Sequence, residues 1–574
     1  MKRQITKTWF LVLILVVGAF LRLKGLNWDQ GFSMHPDERA IVMISERIHW
    51  PNDGEWSKVL TPESPLNPKF FAYGSLPIYL LRFSGFIVGF FNKTLTEYGK
   101  INLVGRVFSA AFDIATILVI YLLGKRLFPG SFLKPLISAL FYALSVLAIQ
   151  LSHFYAVDTI LNFFIWLNIL LLIMYLQRPS ARLLFFIGAT TGLAVATKFT
   201  GVFLLPPILL TLYLTAYKER VPLLNKSTRF FYCFAFFTLI FALFTFLFMP
   251  YALIDFTTYK ANLLEQLRMS KDPYVFPYTL QYVNSRSYIY PLQQIFWWGL
   301  GPLLSLLSII GLITLTIRFS IIVYTKILRS GPLWRREWLV PAAFGISYFL
   351  IIGNSAVKFM RYYLPLYPLL SILAARLLEQ IFTRTKQILG THLTRALLFL
   401  TFLVTFIWPL AFTSIYQHPN TRYTASTWIN QNIPPNSKIA IEHWDDSLPI
   451  FGQEKYKFLE MPLYEPDANN KKWETVNQNL NEADFLILAS NRLYVPLTKL
   501  GDCREIKIPE RCYPKTAEYY KNLFGERLGF KKVAEFTNYP RLSIINYELQ
   551  INDGGADENF TVFDHPKIII FKKT

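Results

Sequence analysis

The sequence contains few charged residues and almost no cysteine. Only 17% of its 574 residues are charged, and it has three cysteines, whereas soluble domains carry about 25% charged residues. The scarcity of cysteine argues against a disulfide scaffold and against thiolate metal sites. The scarcity of charge rules out a disordered, fibrous or ordinary cytosolic protein.

What the sequence does contain is apolar. Hydrophobic residues make up 53% of the chain, phenylalanine alone accounts for 51 positions, and the mean hydropathy is +0.33. The formal net charge is +21, yet residues 416–574 carry 20 basic and 21 acidic side chains. The basic excess therefore lies between the apolar runs of residues 1–415. This pattern indicates a polytopic membrane protein and not a nucleic-acid-binding one.

Eleven apolar runs are long enough to cross a bilayer, which takes about 17–25 residues. They are 8–25, 104–123, 134–152, 157–177, 182–198, 200–217, 230–254, 293–317, 338–354, 362–382 and 395–415. The first run has no small-residue cleavage site after it, so we expect a retained span and not a signal peptide. A further run, 75–91, contains Arg82 and has Pro77 near its start.

Loop charges decide whether run 75–91 crosses. If it does not, the large basic loop clusters fall on the same side as Lys2 and Arg3. These clusters are Lys125, Arg126 and Lys134; Arg178 and Arg182; Lys218, Arg220, Lys226 and Arg229; Arg318, Lys326, Arg329, Arg335 and Arg336; and Arg384, Lys386 and Arg395. The positive-inside rule therefore predicts a cytoplasmic N-terminus and an interfacial or re-entrant helix at 75–91. Loop 26–103 and residues 416–574 are then exoplasmic.

Residues 416–574 are numerous enough to form a soluble domain with its own core. Helix-like patterns at 424–432 and 473–481 alternate with strand-like patterns at 438–442, 485–489 and 568–571. This alternation predicts an α/β layer domain. Cys503 and Cys512 lie nine residues apart, so a disulfide between them is one of two open outcomes if this domain is exported.

Ionisable residues collect at the predicted outer ends of the spans, where burying a charge is costly and indicates function. The candidate catalytic carboxylates are Asp37, Glu38 and Asp158. The candidate substrate-binding residues are His35, Lys69, Tyr73, Arg106, His153, Lys198, Lys358, Arg361 and Tyr362. Cations of this kind bind phosphate, and a carboxylate can accept a proton from an acceptor hydroxyl or amine. This chemistry suits transfer from a lipid-phosphate donor.

Each candidate also has a structural interpretation. Asp158 can cap the following helix, while Lys198 and Arg361 can extend to the headgroups. Asp113 can pair with Arg106. A divalent metal site is possible and would use His35, Asp37, His153 and Asp158, although no tight ligand spacing supports it, and we predict no metal ligands. In the C-terminal region, segment 443–446 (HWDD) is expected to be an exposed loop.

Several motifs together resemble a known family. An acidic pair follows span one, segments GRVFS (105–109) and YLLGKRLF (121–128) lie in and after the next span, and SHFYAVD (152–158) forms a second outer acidic motif. ATKFTG (196–201) and KFMRYYLP (358–365) complete the set. Residues 8–415 resemble the GT-C superfamily of polyprenyl-phosphate-sugar-dependent glycosyltransferases. Within it, they are most similar to the protein O-mannosyltransferase and lipid A aminoarabinose transferase branch.

This resemblance implies a GT-C fold with about eleven transmembrane helices and a catalytic carboxylate at Asp37, with Glu38 beside it and Asp158 assisting. It also implies an inverting single displacement with a polyprenyl-phosphate-linked sugar as donor. The mannosyltransferases carry His-Pro-Pro before the re-entrant helix, whereas segment 67–69 here is NPK. A protein acceptor therefore does not follow from the resemblance, and the acceptor stays unknown.

We accordingly predict a glycosyltransferase in the plasma membrane of a prokaryote, acting at its outer face without a nucleic-acid partner. The main alternative is a membrane transporter or flippase with an outer sensing domain. Transporters usually show paired halves and helices broken near the bilayer midplane, and the sequence shows neither. A non-catalytic scaffold would not need carboxylates and cations on one face.

The predicted topology can be tested by cysteine labelling. In a background in which the three native cysteines are replaced by serine, single cysteines near Asp37 and within 416–574 should react with an impermeant thiol reagent on intact cells. Cysteines near Lys125 should react only after the membrane is opened. Labelling near Lys125 but not near Asp37 in intact cells would show that the topology is inverted.

Overall fold

A computed structural model describes residues 2–217, 223–328, 336–544 and 547–574. Of the cations used in the topology prediction, Lys218, Arg220, Arg329 and Arg335 lie outside these ranges.

The first two thirds of the chain are helical. The helices are α1 (Lys2–Leu23), α2 (Pro36–Arg47), α3 (Leu76–Phe91), α4 (Ile101–Leu127), α5 (Leu133–Ala143), α6 (Val146–Ser152), α7 (Asp158–Gln177), α8 (Ala181–Thr197), α9 (Leu205–Ala216), α10 (Leu223–Phe248), α11 (Tyr251–Ile254), α12 (Phe256–Lys271), α13 (Ile289–Gln294), α14 (Pro302–Leu328), α15 (Leu339–Gly353) and α16 (Tyr367–Thr413). Each predicted span coincides with one of these helices or with a pair of them.

Length and composition alone identify fewer spans than the eleven predicted. Within the described residues, five helices are long and apolar enough to cross a membrane, or six if α5 and α6 form one bent span. Shorter apolar helices occupy the positions of further predicted spans, among them Thr8–Leu23 and Ala181–Thr197. The count of eleven therefore stays a prediction, as does the re-entrant placement of α3.

Four predicted spans differ in detail. Span 134–152 is bent by 56° between α5 and α6, where Ser145 has an extended backbone. Span 293–317 begins later, because Gly301 has a φ of 83° and Pro302 starts α14. Spans 362–382 and 395–415 belong to one long helical segment, α16, which is broken at Gly390 by a φ of 75° and a ψ of 178°.

A buried ion pair ties the helices together around the bend. The Nε of Arg22 donates to Asp113 at 2.6 Å, and both side chains are fully buried. Arg22 also donates to the carbonyl of Ala143 at 2.9 Å, which satisfies a backbone acceptor at the end of α5. Tyr142 donates a short hydrogen bond to Asp113. The prediction that Asp113 pairs with Arg106 is therefore wrong, because Asp113 faces α1.

The C-terminal region contains the predicted α/β domain. Its helices are α17 (Thr421–Asn432), α18 (Asn470–Glu482), α19 (Tyr494–Lys499), α20 (Pro514–Phe524) and α21 (Glu558–Thr561). Its strands are β1 (Lys438–Glu442), β2 (Lys457–Met461), β3 (Phe485–Leu488), β4 (Phe530–Phe536), β5 (Arg541–Ile544), β6 (Tyr547–Gln550) and β7 (Ile568–Lys573). Each predicted helix and strand of this domain falls on one of these elements.

The main sheet has the strand order β2-β1-β3-β7-β4. Strands β2, β1 and β3 are parallel, while β7 runs antiparallel between β3 and β4. One face packs on α17 through residues such as Ile429, and the other packs on α18, α19 and α20. Cys503 and Cys512 form a disulfide, which resolves the question that the sequence left open.

The C-terminal domain inserts a short segment into the membrane domain. Phe560, Val562 and Phe563 are buried in the same apolar core as the membrane helices. The side chain of Gln150, on α6, donates to the carbonyl of Phe560 at 2.7 Å and to Asp564 at 3.0 Å. The two regions therefore share a core, although the sequence suggests separate ones.

Candidate active site

The two acidic residues of the first outer loop point in different directions. They begin helix α2, where Pro36 starts the helix and the ring of His35 caps it by accepting from the backbone N–H of Glu38 at 3.4 Å. Consecutive helical residues lie about 100° apart around the axis. As a result Glu38 is fully buried, whereas the side chain of Asp37 keeps 17% of its surface exposed.

Glu38 belongs to a buried cluster centred on Arg106. Arg106 donates to Glu38 at 3.0 and 2.6 Å, to Asp29 at 3.0 and 2.6 Å, and to the carbonyl of Leu26 at 2.6 Å. Its five N–H donors are therefore all in use. Glu38 also accepts from the backbone N–H of Tyr155 at 2.7 Å. This placement disagrees with the predictions that Arg106 binds substrate and that Glu38 is catalytic. Neither side chain is exposed, and the hydrogen-bonding groups of both are already occupied by protein partners.

Asp37 pairs with Arg361, on the segment that joins α15 to α16. Their side chains form a short ion pair, and that of Arg361 is 13% exposed. The guanidinium lies 5.2 Å from the ring centre of Phe359 and 5.9 Å from that of Tyr362. Burial lowers the pKa of Arg361. Its Nε is buried without a hydrogen-bond partner.

A second ion pair joins Asp158 to Lys198 at 2.9 Å. Asp158 begins α7 and Lys198 follows the last residue of α8, so the bond links the ends of two helices. The Lys198 ammonium also lies 4.6 Å from the ring centre of Tyr362. Tyr362 therefore stands between the cations of the two ion pairs.

Lys358 has no carboxylate partner among the described residues. Its ammonium donates to the Ser285 hydroxyl and to the carbonyl of Ala356, both at 3.1 Å, and the residue is only 3% exposed. Burial lowers the pKa of Lys358, because a buried ammonium loses hydration without gaining a compensating charge.

These residues surround one cavity of about 720 Å³. Its wall includes Asp158, Lys198, Lys358, Arg361 and Tyr362, and Asp37 contacts it through Arg361. The predicted second acidic motif and the two basic motifs therefore do converge. The cations of the wall can bind an anion inside the cavity, and the Asp37 carboxylate lies at the edge of the cavity.

Both predicted histidines are used for packing. His35 lies 4.5 Å from the ring of Phe154 and 4.4 Å from that of Phe563, and burial together with the nearby Arg361 lowers its pKa. The ring nitrogens of His153 face the carbonyls of Ile149 and Lys24 at 2.8 and 3.0 Å. Neither histidine lines the cavity.

Lys69 and Tyr73 lie beside the cavity and not on the part of its wall that the structure describes. The Lys69 side chain is exposed, and Tyr73 packs on Phe70 at 5.6 Å. The next residue, Gly74, donates its backbone N–H to Thr197 at 2.9 Å, and a Cβ there would meet the Ala196 carbonyl oxygen at 1.9 Å. This glycine thus brings the start of α3 against the end of α8.

The described residues contain no group of three or more His, Cys, Asp or Glu side chains able to hold a metal ion. The four residues considered for a divalent site do not converge, because His35 and His153 contact other partners and Asp37 and Asp158 belong to separate ion pairs.

Sequence reasoning missed the C-terminal residues beside the site. Asp557 accepts from the hydroxyls of Tyr282 and Tyr290 at 2.8 and 3.1 Å, and Tyr282 lines the cavity. Glu558 accepts from Arg492 at 2.7 Å. Burial raises the pKa of Asp557, and it raises that of Glu558 to about 7 although Arg492 opposes this. The sequence signal that could have identified these residues is the adjacent acidic pair Asp557 and Glu558, which precedes two phenylalanines in segment 559–563.

The expectation for segment 443–446 was also partly wrong. Asp445 is buried, where it accepts from Arg422 at 3.3 Å and from Ser490 by a short hydrogen bond. Asp446 accepts from Arg39 of helix α2 at 3.3 Å. Only His443 and Trp444 are exposed as predicted. The segment therefore helps to attach the C-terminal domain to the helix that carries Asp37.

Two comparisons with known proteins bear on the fold and the family of this chain. Residues 85–249 match the family model of dolichyl-phosphate-mannose-protein mannosyltransferase. The archaeal oligosaccharyltransferase AglB from Archaeoglobus fulgidus is similar in structure at a TM-score of 0.52 and 14% identity, covering 100% of this chain and 89% of that one. The chain therefore shares the fold of this oligosaccharyltransferase, which agrees with the GT-C fold expected from the sequence.

Other comparisons are weaker. ArnT from Cupriavidus metallidurans in the apo state aligns at a TM-score of 0.46 and 14% identity, covering 86% of this chain and 95% of that one. No curated protein matches the sequence. The family that matches residues 85–249 and the similar oligosaccharyltransferase are both glycosyltransferases, and neither is a transporter or flippase of the kind that the sequence left open.

The Arg106 cluster generates a prediction about stability. Glu38→Gln should lower the unfolding temperature of the protein in detergent, because loss of one partner from a buried ion pair costs about 3–5 kcal/mol. Asp37→Asn is the matched control, and its effect should be much smaller, since Asp37 is partly exposed. Equal unfolding temperatures for Glu38→Gln and the wild type would contradict a structural role for Glu38.

Proposed function

We propose that this protein transfers a sugar from a polyprenyl phosphate to an acceptor at the exoplasmic face of a prokaryotic plasma membrane. The observation that carries the proposal is the charge of the cavity. Among the described residues of its wall, three largely buried side chains are cationic, Lys198, Lys358 and Arg361, and one is a carboxylate, Asp158. A cavity of this charge favours an anionic ligand.

A lipid-linked donor fits the remaining surface of the cavity. Apolar side chains of its wall reach the outer surface, with Phe199 42% exposed and Ile351 53% exposed. They provide an apolar path for a polyprenyl chain next to the cations that would hold its phosphate. The similar archaeal oligosaccharyltransferase was solved with a dolichol-phosphate, which supports the same donor class here.

The proposed reaction is a single displacement. The acceptor hydroxyl oxygen attacks the anomeric carbon while Asp37 takes the hydroxyl proton. The bond between the anomeric carbon and the phosphate oxygen breaks, and polyprenyl phosphate leaves with the bonding electrons, so the anomeric configuration inverts. Lys358 and the Arg361 guanidinium stabilise the charge that develops on the departing phosphate.

The two ion pairs have different roles in this proposal. The ion pair with Arg361 holds the Asp37 carboxylate, the proposed base, at the edge of the cavity. Lys198 is held by Asp158 and reaches the ring of Tyr362, which positions it at the phosphate end of the cavity. Asp158 therefore acts through Lys198 and not on the acceptor directly.

The disulfide supports the proposed orientation of the C-terminal domain. The Cα atoms of Cys503 and Cys512 are 5.4 Å apart, within the usual range for a disulfide. Such bonds persist in oxidising compartments and are rare in the cytosol. An exoplasmic C-terminal domain places the cavity on the same side, because Lys507 of that domain contributes to its wall.

Asp37→Asn should abolish transfer and leave donor binding intact. Asparagine keeps the shape but cannot accept the proton, and loss of a general base typically costs about 10²–10⁴-fold in rate. The measurement is transfer of radiolabel from a polyprenyl-phosphate sugar to membrane acceptors, with donor binding measured separately. Asp53→Asn is the control, since Asp53 is an exposed carboxylate in the same loop. Near-full activity of Asp37→Asn would refute the assigned base.

Lys358→Gln should weaken donor binding by about 10–100-fold, because a hydrogen bond to a charged group contributes about 1.5–3 kcal/mol. Burial lowers the pKa of Lys358, so the charged form is lost as pH rises through that lowered pKa. Wild-type affinity should therefore fall at alkaline pH, and Lys358→Gln should remove that dependence. The control is Lys93→Gln, at an exposed site of the predicted outer loop 26–103, which should bind the donor as the wild type does. Wild-type donor affinity in Lys358→Gln would exclude Lys358 from the donor site.

A further inference from the structure

The cations of the cavity fall into two classes. Lys198 and Arg361 are each neutralised by a carboxylate, Asp158 and Asp37 respectively. Lys271, Lys358 and Lys507 also line the cavity, and within the described part of the chain none of the three has a carboxylate within ion-pair distance. The cavity therefore presents three uncompensated positive charges to its ligands.

The proposed donor does not neutralise three charges. A polyprenyl-phosphate sugar is a phosphodiester and carries one negative charge, which the buried Lys358 is placed to match. The other two lysines differ from Lys358, since both are exposed and lie on segments that border the cavity. Their charges stay unmatched after the donor has bound.

The two exposed lysines flank the same opening from different domains. Lys271 is the last residue of α12, and the neighbouring Ser270 carbonyl accepts from the backbone N–H of Ala356 at 2.7 Å. This contact holds Lys271 next to the segment that carries Lys358. Lys507 is the one residue of the C-terminal domain on the described part of the cavity wall.

Lys507 is held in place by its own loop. It lies within the segment closed by the Cys503–Cys512 disulfide. The preceding residue, Ile506, packs on the same apolar cluster as Tyr274 and Val283. The disulfide loop is therefore docked on the outer loop between α12 and α13, with a cation at the cavity.

We propose that the acceptor is itself an anion, bearing a phosphate or carboxylate near the hydroxyl that receives the sugar, and that Lys271 and Lys507 recognise this group. The proposal rests on the proposed glycosyl transfer and adds the substrate class of its acceptor. Opposite charge across a binding surface speeds encounter and excludes wrong partners. The C-terminal domain thereby acquires a role as the acceptor-selecting part of the enzyme.

The experiment uses the full-length protein in native membranes with a radiolabelled polyprenyl-phosphate sugar. The double variant Lys271→Gln/Lys507→Gln should need about three- to tenfold more membrane extract for half-maximal transfer, the size expected for two solvent-exposed charges. Its maximal rate and its affinity for the donor should stay within about twofold of the wild type. Lys271→Arg/Lys507→Arg should restore the wild-type requirement, because the charges are kept.

Two controls make the result specific. Lys531→Gln removes an exposed cation of the same domain that does not line the cavity, and it should behave as the wild type. The labelled product should bind an anion-exchange column. Loss of retention after phosphatase treatment identifies a phosphate, and loss after carbodiimide coupling to an amine identifies a carboxylate.

The outcomes separate the two proposals. A labelled product that passes the column unretained overturns the anionic acceptor while leaving sugar transfer established. An unchanged extract requirement in the double variant overturns the role of the two lysines, and weakened donor binding assigns them to the donor instead. Absence of any transfer by the wild type, with every polyprenyl-phosphate sugar tried, refutes the proposed function and this inference with it.

Discussion

The arrangement of the site depends on one buried guanidinium. Arg106 is fully enclosed, and its five N–H groups bind Asp29, Glu38 and the carbonyl of Leu26. Leaving any of these charges unpaired inside the protein would be strongly unfavourable, so helix α2 has one favourable rotation. That rotation directs Asp37 towards Arg361. The two adjacent acids thus have different environments, since Glu38 fixes the helix and Asp37 faces Arg361.

The second constraint is the insertion of the C-terminal domain. Phe563 packs against the ring of His35, which caps α2, and Asp446 accepts from Arg39 on the same helix. Asp557 holds Tyr282 at the cavity wall. The domain therefore contacts the helix of the proposed base on one side and the substrate cavity on another. A shift of the C-terminal domain relative to the helices would therefore alter the packing and hydrogen bonds around α2 and the cavity.

The success of sequence reasoning differed between kinds of residue. Asp158, Lys198, Lys358, Arg361 and Tyr362 do surround one cavity, because a charge at the end of an apolar run has few places to lie other than the membrane surface. Arg106 and His153 obeyed the same pattern but became fully buried within the protein. A charge at the end of an apolar run indicates how deep the residue lies in the bilayer. It does not indicate which neighbouring residue pairs with that charge.

The sequence by itself determined that this is a membrane protein, where its helices lie, and that helices and strands alternate in the C-terminal domain. These features follow from local hydropathy and its period. The tertiary structure alone decided which ionic partners meet. Arg106 binds Glu38 across 68 residues and Arg361 binds Asp37 across 324, and Lys507 reaches the cavity from another domain. Such pairings depend on the packing of distant segments, which no local pattern encodes.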